Sequence, residues 1–414
     1  MQIKKLFAFI VFFLTFLLLT SCSPSTPAAT PTATPVPTFT PVPNTPVTYA
    51  GCSTVTAEPT ANVSSSLPPI TSADYARGPD NAAVTMILYC DFQSTQCDNF
   101  GDVVDKLLQN HFNDLQVIYR PLPAIGVLDK SQISTQAVLA SGNQGKFWEM
   151  RDLLHSKYNE WANMTLNQFN SWIKSQAVSM GLDAAKFKAD YQSPETAARA
   201  KSMHDAAVQL GIGSIPVVFI NGSLQPSAIL DYNSVNDVVS LIALGAKQFK
   251  SCPSFTLDTS KQYIATLHTE KGDIVIQLYA DKAPLAVNSF VFLAKQGWFN
   301  GVTFHRVIPG FVAQAGDPSG TGQGGPGYFF KNEVSDLKYD KPGVVGMANS
   351  GPDTNGSQFF ITYAPQPTFD GNYTIFGQVL KGVDVLESLT ARDPSQSGDL
   401  PTGDKILNVT IEEH

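Results

Sequence analysis

The sequence has no run of lysine or arginine, so it offers no clustered positive charge for phosphates, and nucleic acid is excluded as an expected partner. Its six histidines (His111, His155, His204, His268, His305 and His414) are scattered, and none pairs with a cysteine or a second histidine at metal-ligand spacing. Neither a metal nor a cofactor is expected. Cysteine is scarce, five in 414 residues, and no two form a C-x-x-C motif. The apolar run Leu6 to Leu19 falls short of the roughly 20 residues that a spanning helix needs. The formal charge is -8, and loss of the two positives Lys4 and Lys5 with a cleaved leader takes it to -10.

What is present suggests two or three domains, with 43% hydrophobic residues, ample for sizeable cores. Lys4 and Lys5 ahead of the apolar run have the form of a charged n-region and an h-region. The run ends in Leu19-Thr20-Ser21-Cys22, which resembles a bacterial lipobox. The resemblance implies a signal peptide over 1–21, lipidation of Cys22, and an extracytoplasmic chain anchored to a membrane. From Ser23 to Ala73 the only charged residue is Glu58, amid Pro, Thr, Ser and Ala. Such composition favours solvated polyproline II, so 22–75 is expected to be a disordered linker.

Folded sequence is expected from 76. Val84-Thr85-Met86-Ile87-Leu88-Tyr89 and Leu115-Gln116-Val117-Ile118-Tyr119 have the apolar density of buried strands, with a helical pattern between them. A long helical stretch covers about 131–210, then Ile215-Pro216-Val217-Val218-Phe219-Ile220, then a helix over about 234–244. This order over 76–250 resembles a DsbA-like thioredoxin fold, an α/β domain whose cis-Pro loop would hold Pro216. The chain departs from the family at Asp91-Phe92-Gln93-Ser94-Thr95-Gln96-Cys97, where Ser94 stands in place of the attacking cysteine. A hydroxyl forms no disulfide, which argues against a two-cysteine redox cycle. Without Cys22, the remaining Cys52, Cys90, Cys97 and Cys252 allow three connectivities. Cys52 with Cys252 is favoured because they flank the thioredoxin-like region, leaving Cys90 with Cys97 as a structural pair or a relocated redox couple.

Residues 258–414 carry alternating Ile274, Ile276 and Leu278, a helix opened by Pro284 with Val287, Phe290, Val291 and Leu293 on one side, and many short strands. Two blocks stand out: Phe304-His305-Arg306-Val307-Ile308-Pro309-Gly310-Phe311 through Gln314 to Gly316-Asp317, and Gly346-Met347-Ala348-Asn349-Ser350-Gly351-Pro352 with Asn355-Gly356-Ser357-Gln358-Phe359-Phe360. They resemble the signature blocks of cyclophilin peptidyl-prolyl cis-trans isomerases, which are all-β, eight-stranded antiparallel barrels with two capping helices. The resemblance implies Arg306 as the catalytic guanidinium and Gln314 as the residue that holds substrate and orients it. Phe311, Val312, Phe360 and Phe369 would line the proline pocket, with Tyr373 beside it, and Ala348 and Asn349 would meet substrate backbone. Thr368 stands where many relatives have the tryptophan that contacts cyclosporin. Gly320-Thr321-Gly322-Gln323-Gly324-Gly325 satisfies G-x-G-x-x-G, but no βαβ unit surrounds it, so a dinucleotide is not expected. His305 has no proton-transfer role to play and is expected to be structural.

The function implied is isomerisation of X-Pro bonds in unfolded or Pro-containing exported polypeptides. The rivals are a non-catalytic Pro-peptide-binding scaffold and a thiol-disulfide oxidoreductase with an accessory isomerase.

Overall fold

A computed structural model describes residues 51–55, 67–396 and 400–414. The expected signal segment, Cys22 and most of the Pro/Thr/Ser-rich stretch lie outside the described residues.

Apolar density decides the centre of the first domain. Val84–Cys90 is flanked by Leu115–Pro121 in parallel and by Val217–Ile220 antiparallel. Tyr75–Arg77 and Ser223–Leu224 complete a five-stranded sheet. The parallel pair needs a crossover, which the helix Thr95–Asn110 supplies. Alternate residues of the central strand serve opposite faces: Met86 and Leu88 pack with Phe100, Val104, Leu107 and Val239. Ile87 and Tyr89 pack with Ala207, Ile212 and Phe219 on the other side. The helical stretch is broken into Ser131–Gly142, Phe147–Ser156, Tyr158–Trp161, Leu166–Ser179, Ala184–Tyr191 and Pro194–Gln209. The start signals are local. Thr165 and Gln168 form a capping box, and Ser193 caps a helix opened by Pro194. The last helix spans Tyr232–Gly245, and the Ile215-Pro216 bond is cis.

The second domain is built on an antiparallel sheet of nine segments among the described residues. Its order is Arg306–Ile308, Val312–Ala315, Phe359–Thr362, Val344–Met347, Ile375–Lys381, Gly272–Leu278, Tyr263–Thr269, Lys405–Glu413 and Val302–Thr303. The two end segments are separated in the chain only by Phe304 and His305. A sheet whose first and last strands are nearly continuous must curl onto itself, as in a cyclophilin barrel. Eight strands were expected; the described residues give nine segments, of which Val302–Thr303 and Arg306–Ile308 are parted only by Phe304 and His305. Ile274, Ile276 and Leu278 all point into the core, as their alternation requires.

Pro284–Lys295 is buried beyond its apolar side, for Asn288 and Ser289 are buried too. Asn288 accepts from Thr256 N–H and donates to Ser254 C=O, so the chain leaving the first domain crosses its polar face. The helix has no side-chain cap of its own; Glu333 accepts from the Leu285 and Ala286 N–H groups at 2.9 Å. The second capping helix, Val383–Glu387, is a short turn.

The expected linker is corrected at two places. Cys52–Thr54 is a strand paired with Tyr328–Phe330 of the barrel domain. Pro68 and Pro69 present carbonyls to Arg120, whose guanidinium also pairs with Asp74 at 2.8 Å. Neither segment has a local signal strong enough to show in the sequence; each is ordered by a partner distant in the chain. Cys52 is bonded to Cys252, 200 residues away, and Cys90 to Cys97. The first domain is therefore an insertion whose two ends are stapled beside the barrel.

Replacing both Cys52 and Cys252 by serine frees the strand Cys52–Thr54. The expected cost is about 2–4 kcal/mol of stability. Hydrogen exchange should accelerate at Tyr328–Phe330 and stay unchanged in Tyr263–Thr269; uniform protection throughout would contradict the staple.

Candidate active site

Register places the key side chains. Arg306 lies directly opposite Gln314, and Gln314 opposite Phe360, on adjacent antiparallel strands. Phe360 in turn faces Gly346. Residues opposite one another share a face, so Arg306, Gln314 and Phe360 form one row across the wall.

Beside that row is an aromatic cage. Phe369 stands 5.6 Å from Phe311, 5.4 Å from Phe360 and 5.0 Å from Tyr373, measured between ring centroids. Val312 lies in the same cluster. Phe311, Phe369 and Tyr373 remain half-buried, while Val312 and Phe360 are buried. The floor is Tyr339, which the sequence reading missed. It is fully buried and stacks on Phe360 at 5.7 Å. Gly346 makes room for both rings: a Cβ there would sit 2.1 Å from Tyr339 Oη and 2.7 Å from Phe360 Cζ. A conspicuous Gly346 opposite Phe360 was the available signal, but nothing local points to Tyr339.

The Arg306 guanidinium is half-buried at the edge of the cage, 5.3 Å from the Phe311 ring centre. Burial pulls its pKa down, with Asp393 and Tyr373 acting the other way. It stays charged, as guanidinium does throughout the working pH range. Among the described residues no side chain or carbonyl takes a hydrogen bond from it, which leaves its donors available.

Gln314 is buried and donates from Nε2 to Gln358 Oε1 at 2.9 Å. Its Oε1 is thus the atom left to accept from Arg306 or from substrate. Gln358, the second residue missed, donates to the Gly322 and Gly324 carbonyls at 2.9 Å each. Those glycines belong to a loop organised by buried Asp317, which accepts from Gly322 N–H at 2.8 Å and Gly324 N–H at 2.9 Å. Ser319 N–H and Oγ bond the same carboxylate. The G-x-G-x-x-G run is thus wrapped around a carboxylate, an arrangement opposed to phosphate binding.

The other rim is backbone. Ala348 N–H is bonded to Gln358 C=O, whereas no described residue bonds the Ala348 carbonyl or the Asn349 N–H. Asn349 is held by Asn332 and Asn355 through Nδ2. Thr368 is exposed next to Phe369. Pro216 and both disulfides lie outside this site. Cys90 and Cys97 are 1% and 7% exposed, which leaves little access for an attacking thiolate. Ser94 serves as N-cap of Thr95–Asn110, accepting from Cys97 N–H.

His305 is buried, and neither ring nitrogen finds a partner among the described residues. Burial pulls its pKa down to about 4, opposed by Asp317 and assisted by Arg392 and Arg306. An unfolded histidine titrates near 6.5, so the folded value is depressed. Above that pH both states are neutral and His305 contributes nothing to pH dependence. Between about 6.5 and 4 the unfolded chain takes up a proton that the folded chain refuses, and stability falls as pH falls. In His305→Gln, denaturant midpoints measured across this range should fall less steeply than in wild type; equal slopes would contradict the assignment.

Residues 264–411 match the family described as Cyclophilin type peptidyl-prolyl cis-trans isomerase/CLD, and residues 71–235 match the family described as Thioredoxin. Peptidyl-prolyl cis-trans isomerase CYP18-1 of Arabidopsis thaliana is 48% identical over 151 residues, 35% of this chain and 94% of that protein. Peptidyl-prolyl cis-trans isomerase-like 3 of Homo sapiens is 45% identical over 151 residues, again 35% and 94%. Peptidyl-prolyl cis-trans isomerase-like 2 of Cryptococcus neoformans is 45% identical over 159 residues, 37% of this chain and only 28% of that longer protein. A crystal structure of a Cryptosporidium parvum cyclophilin type peptidyl-prolyl cis-trans isomerase aligns at 35% identity and a TM-score of 0.34, covering 36% of this chain and 98% of that one. Through its C-terminal barrel, preceded by a thioredoxin-like domain, the chain belongs to the cyclophilin-type peptidyl-prolyl cis-trans isomerase family.

Proposed function

We propose that the protein is a membrane-tethered, extracytoplasmic catalyst of X-Pro isomerisation in exported polypeptides. The observation that carries the catalytic part is the Arg306 guanidinium, without a hydrogen-bond or ion-pair partner among the described residues, at the edge of the Phe311–Phe360–Phe369–Tyr373 cage. The address rests on the lipobox-like Leu19-Thr20-Ser21-Cys22.

Rotation about a prolyl bond is slow because amide resonance must be broken, over a barrier of about 18–20 kcal/mol. At the twisted geometry the nitrogen lone pair is localised. A fixed cationic donor stabilises that state more than either planar isomer. The cage grips the pyrrolidine ring, the open edge at Ala348 and Asn349 holds the flanking backbone, and Arg306 donates to the twisted amide. No nucleophile or proton transfer is needed.

The thioredoxin-like domain fits a role in binding or spacing polypeptide. Its buried Cys90–Cys97 bond and capping Ser94 weigh against the oxidoreductase rival. An Arg306 guanidinium with no hydrogen-bond or ion-pair partner among the described residues weighs against the scaffold rival, since a surface that only binds proline has no use for it.

A protease-coupled assay on a short X-Pro peptide tests this reading. Arg306→Ala should lower kcat/KM by about a hundredfold, with peptide binding largely kept. Gly346→Ala should mainly raise KM, because its Cβ displaces Tyr339 and Phe360. Wild-type protein without catalysis would return the scaffold reading; Arg306→Ala at full rate would overturn the role given to Arg306. With Thr368 in the tryptophan position, cyclosporin should inhibit weakly; titration to a sharp endpoint at equimolar drug would contradict this.

A further inference from the structure

The glycine loop beside the active site is held from outside the barrel. Leu244, on the last helix of the thioredoxin-like domain, is 4% exposed and packs into the barrel's core cluster. A Cβ on Gly324 would lie 2.5 Å from Leu244 Cδ2, so side chain and loop backbone are in direct contact. Gln248 Nε2 donates to Gly325 C=O at 2.9 Å, and Phe249 N–H to Pro326 C=O at 2.9 Å. At Gly327 a Cβ would meet Phe249 C=O at 2.4 Å. From the other end of the insertion, Val55 N–H donates to Gly327 C=O, and Lys331 N–H to Gly51 C=O. The stretch from Gly324 to Lys331 is thus clamped at both ends of the inserted domain.

That stretch adjoins the catalytic row. Gly324 C=O accepts from Gln358, and Gln358 Oε1 accepts from Gln314, which stands opposite Arg306. All three hydrogen-bonding positions of the Gln358 amide that have partners here serve either the loop or Gln314. The same helix carries Asp237, whose negative charge opposes the lowering of the Arg392 pKa by burial. Arg392 in turn donates to His305 C=O and exchanges backbone bonds with Val307, on either side of Arg306.

Resting on the isomerase reading, we propose that Leu244 and Gln248 of the thioredoxin-like domain are positioning residues for the isomerase site, acting through Gly324 and Gln358 on Gln314. The inserted domain is then a working part of the enzyme as well as its spacer. Leu244 fixes the loop by contact and Gln248 by a hydrogen bond, so losing both lets Gln358 rotate away from Gln314. Chemistry favours this route, for neither residue belongs to the cluster that forms the proline cage.

The test is a double-mutant cycle on the full chain, with kcat and KM resolved on an X-Pro peptide and hydrogen exchange followed over residues 320–328. Leu244→Ala with Gln248→Ala should lower kcat about tenfold with little change in KM, and speed exchange in the loop. Leu244→Ile with Gln248 intact should keep near-wild-type kcat. In a Gln358→Ala background the paired alanine substitutions should cost nothing further. Additive losses, or an unchanged kcat despite a loosened loop, would overturn the inference. If wild type binds the peptide without isomerising it, the isomerase reading fails by itself. The inference is then decided on hydrogen exchange over residues 320–328, which must quicken in the paired variant; unchanged exchange would overturn it.

Discussion

Closure of the barrel is the constraint from which the site follows. The first and last segments of the sheet, Arg306–Ile308 and Val302–Thr303, are neighbours in the chain, joined by Phe304 and His305. Phe304 and His305 turn inward and are buried. Arg306, the next residue, emerges half-buried opposite Gln314. A guanidinium at such a seam is held by strands on one side and meets solvent on the other. Its charge is therefore positioned by backbone pairing, without an ion pair among the described residues to neutralise it. This is how a fold can supply a preorganised electrostatic group.

Two kinds of packing surround that charge. On one side the cage is apolar and its rings meet edge to face, a geometry that fixes their orientation as well as their burial. On the other side the wall is polar: Gln314, Gln358 and the loop around Asp317 form one chain of hydrogen bonds. In low-dielectric surroundings each satisfied bond also orients the next. Asp317 is fully buried, and its five bonds to Ser319, Thr321, Gly322 and Gly324 account for why glycine recurs there: a Cβ at Gly324 would collide with the carboxylate at 2.1 Å.

Much of this was legible in the sequence. The alternation of Ile274, Ile276 and Leu278, the Pro284 helix start and the ordered signature blocks are local patterns, and local patterns survive into the fold. Continuous apolar runs likewise announced the strands Val84–Cys90 and Leu115–Pro121. What escaped reading depends on partners far away in the chain. Tyr339 is an isolated aromatic until Phe360 and Gly346 are brought over it. Gln358 has no visible role until the glycine loop folds back. The strand Cys52–Thr54 sits in a low-charge, Pro/Thr/Ser-rich stretch, and only the edge at Tyr328–Phe330 gives it a structure. Pro284–Lys295 has an amphipathic pattern, yet its polar side is buried as well, because the chain from the inserted domain crosses it.

The most direct test of the central claim, that a charged seam beside an aromatic cage turns the prolyl bond, is exchange NMR on an X-Pro peptide with a catalytic amount of wild-type protein. Cross-peaks linking the cis and trans lines on a sub-second mixing time, lost when Phe360→Ala empties the cage, are the predicted result. Cis and trans lines that shift on binding but never exchange would contradict the account, for the groove would then hold proline without turning it.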